Sequence, residues 1–382
     1  MKYNFDQIIS RRETHSTKWL KFSDAEVIPM WIADMDFLCP SEITKPMIQR
    51  IDEGVFGYTD TPQSLTDTFI EKTKSNTGWQ IDKDWVVWVP GGVVGLNVAC
   101  KTVLAPGDMA MVPSPIYAPF TEAPENMERG FVKTYLKDSN GRLEFDFDEI
   151  RTLLSEDTKL LFLCNPHNPG GSVFSQEELI ELSRLCEENA VIVCSDEIHS
   201  DLVLDKGLRH IPFATINEHN QENSITIMGP CKTYNLAGFP IAAAIIPNKE
   251  IREDFVRNTK GIVSHIDNLA FVAAERAYSD ADEWRAQLIQ YLQANKNLLL
   301  ERVNKVEGLS LKGPEAGFLA WIDCRNTGLD SPADFFIQEA KVGVHDGAWF
   351  GDKNYVRLNF GCPRSVLEEA LNRIEKAFSQ KN

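Results

Sequence analysis

The stretch SITIMGPCKTYNLAG, Ser224 to Gly238, decides how the rest of the chain is read. It opens on Ile225-Thr226-Ile227-Met228, an apolar, β-rich run that suits a buried strand. Gly229 and Pro230 end that strand, and Lys232 follows at once in a short polar turn with no amphipathic run around it. A lysine directly after a core strand stands at the rim of a sheet, where α/β proteins place their active sites. A solvated loop lysine fits the same letters, so the weight has to come from other segments.

Four of them end in the same way. Trp85-Val86-Val87-Trp88-Val89 reads as a strand, Pro90-Gly91-Gly92 breaks it, and Val93 to Val103 reads as a buried helix. Strand, glycine turn and helix make an anion site in which the N–H groups of Gly92, Val93 and Val94 face a phosphate; a tight βα turn is the plainer alternative. Met109 to Val112 is a second strand, left stiffly through Pro113-Ser114-Pro115, which fixes Tyr117 as an aromatic for stacking or for the core. Leu160 to Leu163 runs into Cys164-Asn165-Pro166-His167-Asn168-Pro169, and this rigid turn projects the Asn168 amide at a strand end. Ala190 to Ser195 is followed by Asp196-Glu197-Ile198-His199. A carboxylate next to a wholly apolar strand is costly without a partner, so Asp196 is either paired with a bound cation or a helix cap.

The remaining features bound the answer. From about residue 85 short apolar runs alternate with helical periods, as in a largely parallel α/β sheet, and 382 residues at 43% hydrophobic can bury a large core. A net charge of −17 argues against nucleic acid and against anionic membranes as partners. No run approaches a membrane span, the N-terminus lacks the apolar centre of a signal peptide, and the 8 cysteines have no C-x-x-C spacing, which together predict a cytoplasmic protein with reduced thiols. GLNVACKT, Gly95 to Thr102, misses the second glycine of a P-loop, and no G-x-G-x-x-G follows a strand. Asp34 and Asp36 have no third metal ligand nearby, so a turn or cap is expected there. Tyr58, on the Gly54–Gly57 turn, suits packing or a ligand contact. Arg357, inside Tyr355 to Gly361, suits an edge-strand surface or a bidentate carboxylate clamp.

A phosphate cup, a fixed aromatic, an amide, a carboxylate, a lysine and an arginine together suit pyridoxal phosphate with an amino acid as substrate. The order of Asn168-Pro169, DEIH (196–199), KTYNLAG (232–238) and RLNFG (357–361) resembles the fold-type I, aspartate-aminotransferase-like enzymes. IPMWIADMDF (28–37) and GVFGYTD (54–60) are similar to the cystathionine β-lyase, or cysteine C–S lyase, branch.

The resemblance covers essentially the whole chain. It implies an α/β architecture with a large domain at 45–280 around a mainly parallel seven-stranded sheet. A smaller αβ domain would be made of 1–44 with 281–382. It implies β-elimination on cystathionine or related cysteine S-conjugates, with an aminotransferase as the alternative. Lys232 would be the Schiff-base lysine, Asp196 the pyridinium partner, and Asn168 and His199 neighbours of the ring oxygen. Tyr117 would stack on the ring, Tyr58 would reach the phosphate across a homodimer interface, and Arg357 would bind the substrate carboxylate. Two positions depart from the pattern. Cys231 stands where relatives usually carry serine and Gly229 where the superfamily often has a hydroxyl residue, which predicts a weakened phosphate donor at Cys231.

Overall fold

The computed structural model describes residues 2–381. Seven strands form the central sheet: β1 (Val86–Val89), β2 (Met109–Ser114), β3 (Gly130–Tyr135), β4 (Thr158–Cys164), β5 (Ile192–Asp196), β6 (Ser224–Met228) and β7 (Ala242–Ile245). Their spatial order is β1-β7-β6-β5-β4-β2-β3. β7 runs antiparallel to both its neighbours, and the other pairings are parallel.

The unbroken apolar runs have a simple cause. Side chains alternate across a strand, and both faces of this sheet are covered. In β4, Leu160, Phe162 and Cys164 enter one core, whereas Leu161 and Leu163 enter the other. The first core is completed by helix α1 (Gly92–Val103), through Leu96, Val98 and Ala99. The second receives Leu179, Leu182 and Leu185 of α2 (Gln176–Glu188), a helix fixed at its start by a Ser175–Glu178 capping box.

A further antiparallel sheet has the order β8 (Leu319–Asp323), β10 (Tyr355–Asn359), β9 (His345–Asp346). The N-terminal segment joins this region, with Ile28-Pro29 pairing in parallel with Val342-Gly343. Met30, Met35 and Phe37 share one core with Trp284, Leu288, Phe318, Leu358 and Ile374.

Three sequence expectations are corrected. Asp196 is the last residue of β5, not the first after it, and its backbone carbonyl still accepts from Asn165 N–H at 3.0 Å. Arg357 lies on the middle strand of the small sheet and is 2% exposed, so the edge-surface reading is excluded. The edge strand β3 was not foreseen, because its polar and exposed positions (Lys133, Tyr135) give no continuous apolar run. All eight cysteines are free, as expected. Among the described residues no helix is long and apolar enough to cross a membrane, and no group of metal-ligating side chains occurs.

Candidate active site

The C-terminal ends of β4, β5 and β6 converge on a cavity of about 400 Å³. Lys232, Asp196, Asn168, His199, Tyr117, Arg357, Gly92, Val93 and Val94 all line it. Tyr58 does not; it is 99% exposed, with its ring 5.8 Å from that of His265. A larger groove of about 720 Å³, bordered by Arg12, Lys341 and Arg373, contains none of this set.

Lys232 is positioned by a tight turn in which Tyr234 N–H donates to Pro230 O at 2.9 Å and Leu236 N–H to Cys231 O at 2.9 Å. Asn235 takes the left-handed conformation (φ 58°) that this turn requires. Its side chain is bonded to the backbone of Met35 and Phe37, which ties the lysine loop to the N-terminal segment. The Lys232 Nζ donates to Ala33 O at 3.1 Å and has no carboxylate within ion-pair distance. Burial pushes its pKa down, with Arg357 acting in the same direction.

Asp196 faces the cavity with one hydrogen bond to its carboxylate, from Ile198 N–H at 3.1 Å. Desolvation is the main reason its pKa rises to about 6, and Glu197 adds to the rise. A carboxylate this short of donors is suited to a cationic ligand atom.

Arg357 is the counterpart at the other end. It donates to Asn168 Oδ1 at 2.8 Å, to Trp31 O at 3.0 Å and towards His345 Nδ1 at 3.3 Å, and its guanidinium lies 4.5 Å from the Phe350 ring centre. None of these partners is an anion, its Nε has no partner, and burial lowers its pKa to about 9. A buried guanidinium without a carboxylate is a receptor for one.

At the remaining wall, Gly91 (φ 103°) turns the chain from β1 into α1 with no side-chain cap. A Cβ there would also sit 3.3 Å from Pro240. The first-turn N–H groups of α1 are left to an external acceptor, as a phosphate site needs. His199 is buried and neutral, its pKa lowered to about 3 first by desolvation and then by Lys232 and Arg357.

The Cys231 expectation is overturned. Its Sγ points to the carbonyls of Ile241 (3.3 Å) and Phe239 (3.5 Å), so the thiol closes the lysine turn onto β7 and is not a weakened phosphate donor. Gly229 has a packing cause as well, since a Cβ there would lie 2.9 Å from Ile241 O and no hydroxyl side chain fits. Asp34 and Asp36 lie in irregular chain with bends, and their carboxylates are taken up by cations. Arg11 and Lys18 pair with both, and Trp19 Nε1 donates to Asp36 at 3.0 Å.

Trp31, His345 and Trp349 also line the cavity and were missed. Trp31 belongs to a motif used only for the resemblance. His345 and Trp349 come from a turn region with no periodic signal, and the only cue was two aromatic-type residues just before the Arg357 strand.

An α/β sheet with a lysine, a donor-poor carboxylate, an anion-free arginine and a helix N-terminus around one cavity defines a class of site that fits pyridoxal phosphate and an amino acid. The chain belongs to the aminotransferase class I and II family, whose sequence profile matches residues 25–374. Among its relatives is the cystathionine β-lyase PatB of Bacillus subtilis (strain 168), 36% identical, with 98% of this chain and 100% of that protein covered. Among solved structures, OvoB superposes with a TM-score of 0.96 at 42% identity, covering 99% of both chains. Cystalysin from Treponema denticola, a structure containing pyridoxal 5'-phosphate, superposes at 0.95 with 30% identity and 100% coverage of both.

Proposed function

We propose that the protein is a pyridoxal-phosphate-dependent carbon–sulfur lyase. It cleaves cystathionine or related L-cysteine S-conjugates to a thiol, pyruvate and ammonia. The observation that carries this reading is the convergence of Lys232, Asp196 and Arg357 on one cavity, none of the three saturated by protein partners. Relatives named cystathionine β-lyase and structures of C–S lyases favour elimination over amino transfer.

When bound, pyridoxal phosphate supplies an electron sink for the pair left as the substrate's α C–H bond breaks. Arg357 binds the substrate carboxylate and fixes the Cα above Lys232. Its hydrogen bond from Nη1 holds Asn168 in the same frame. The Lys232 amine, whose pKa burial lowers, takes the α-proton at Nζ, and the Cβ–S bond then breaks with loss of the thiolate. Asp196 would hold the proton of the ring nitrogen, Asn168 and His199 would serve the ring oxygen, and Tyr117 would stack on the ring; all four line the cavity. The N–H groups of Gly92, Val93 and Val94 receive the phosphate.

The same reading assigns residues 45–280 to a large cofactor-binding unit and 1–44 with 281–382 to a small one. The shared core of Met35, Phe37 and Leu358 supports the second grouping. It also assigns a cytoplasmic homodimer in which Tyr58 reaches the partner's phosphate site. In support, Val55, Phe56, Tyr58 and Ile262 are exposed apolar or aromatic side chains on one chain. The test is pyruvate release from cystathionine by the holoenzyme with no 2-oxo acid added. Turnover only when a 2-oxo acid is supplied would overturn the lyase reading in favour of an aminotransferase.

A further inference from the structure

Behind Asp196 lies a second carboxylate that this chemistry does not use. Glu197 is 0% exposed and, one residue beyond Asp196, projects from the opposite face of the strand end. Its Oε1 accepts from Ser195 Oγ–H at 2.8 Å and from Phe213 N–H at 3.0 Å. Its Oε2 lies 2.6 Å from His210 Nε2. Among the described residues no lysine or arginine pairs with it.

Hydrogen-bond satisfaction assigns the protons. His210 Nδ1 is buried without a partner. Were Nδ1 protonated, an N–H donor would be orphaned in the interior; an unpartnered lone pair is the milder defect. The favoured tautomer is therefore neutral His210 with its proton on Nε2, donating to Oε2. Glu197 is then an acceptor at both oxygens and carries a full negative charge. The small cavity bordered by His210 also holds Lys72, Arg209, Arg285 and Asp201, and Lys72 and Arg285 are ion-paired with Asp282 and Asp201.

We propose that Glu197 is a positioning residue for the reaction: a buried carboxylate, hydrogen-bonded at both oxygens, whose charge, acting through Asp196, keeps the proton on the cofactor's ring nitrogen, with His210 Nε2–H as its donor. The two carboxyl groups belong to adjacent residues and lie on opposite faces of the strand end, and the interior between them screens weakly. Asp196 is more basic for having this neighbour, and a more basic partner holds a ring proton more tightly. This inference rests on Asp196 being the partner of the ring nitrogen.

The test uses holoenzyme loaded with cofactor labelled with ¹⁵N in the ring, whose shift reports the protonation of that nitrogen between about pH 6 and 10. Glu197→Gln keeps the shape and removes the charge. His210→Phe removes the donor, so the stranded carboxylate takes up a proton. Both are expected to lower the ring-nitrogen midpoint by about one pH unit and to weaken cofactor binding about tenfold. His210→Gln, which still donates to Glu197, is expected to keep the wild-type midpoint. Asp196→Asn is the control for the underlying reading. If it leaves the nitrogen protonated throughout, the role of Asp196 fails. If Asp196→Asn deprotonates the nitrogen but neither Glu197→Gln nor His210→Phe moves the midpoint, the proposal for Glu197 is overturned, and a fall in melting temperature alone counts with that outcome.

Discussion

Two buried charge clusters lie within reach of the same N-terminal segment, and they are built on opposite plans. In the first, Lys18 and Arg11 face Asp34 and Asp36, and Lys18 also donates to Asp34 O at 3.1 Å. In the second, Lys232 has one carbonyl, Asp196 one N–H, and Arg357 no anion. The residue types match: lysine, arginine, aspartate. The difference is saturation. A cluster that answers its own charges holds the chain in place, whereas one that leaves them unanswered can answer a ligand's.

The comparison breaks most visibly at the two lysines. Lys232→Ala is expected to cut turnover by about 10³-fold or more while leaving the urea midpoint of the apo-protein near wild type. Borohydride reduction of the wild-type holoenzyme should place the label on Lys232 alone, as read by peptide mapping. Lys18→Met is expected to do the reverse. It removes one of the two cations of the cluster, leaves Arg11 as the remaining partner of Asp34 and Asp36, and costs about 1.5–3 kcal/mol in urea unfolding, and the protein that remains folded still turns over. Loss of activity without loss of stability in Lys18→Met would erase the distinction.

A smaller effect separates the clusters by pH. Burial lowers the pKa values of His167 (to about 4), His199 (to about 3) and His345 (to about 3). Each takes up a proton on unfolding, so their stabilising contribution is present above about pH 6.5 and is lost as pH falls. Asp196, raised to about 6, acts in the opposite sense, since its contribution is present at low pH and lost as pH rises through 6. Near pH 5 the unfolded apo-protein binds about two more protons than the native one, so stability falls by about 2–3 kcal/mol for each unit of acidification. Urea titrations of apo-protein from about pH 5 to 7 measure that slope. A flat profile would mean that these groups are not buried as described.

The smallest expected effect is at Cys231. Because its thiol faces Ile241 and Phe239 carbonyls, Cys231→Ser should change the cofactor dissociation constant by less than about threefold. Cys231→Ala should cost about 1 kcal/mol of stability and leave cofactor binding near wild type. A marked tightening in Cys231→Ser would restore the phosphate-donor reading.

These contrasts also mark what the sequence could and could not reveal. Lys232, Asp196, Asn168 and the Gly91–Val94 turn were legible because each terminates an apolar run long enough to be a buried strand, and parallel strands deliver their ends to one edge. Arg357 was ambiguous between clamp and surface because strand order in the small sheet is a tertiary property. His345 and Trp349 were silent. They reach the cavity through the antiparallel pairing of β9 with β10, and short strands with a 3₁₀ turn between them carry no period. The ion pairs of Asp34 and Asp36 were hidden for a similar reason, since Arg11 and Lys18 approach through irregular chain. Glycine at position 229, read from the sequence only as a missing hydroxyl, has its cause in the carbonyl of Ile241 beside it.

The roof of the cavity has a consequence for how the protein is made. Arg357 bonds Trp31 across 326 residues, and Asn359 bonds Ile32 and Asp34 across 327 and 325. Contacts of such high sequence separation form late, because the loop they close must first be ordered. During synthesis residues 31–37 leave the ribosome about 325 residues before the strand that receives them. The lysine loop and its sheet can therefore assemble, with Asn235 already holding Met35 and Phe37, while Trp31, Ile32 and Asp34 still lack their partners on that strand. Until that strand is made, the nascent protein carries Lys232 under a half-fastened roof, whose closure is one of the late acts of folding.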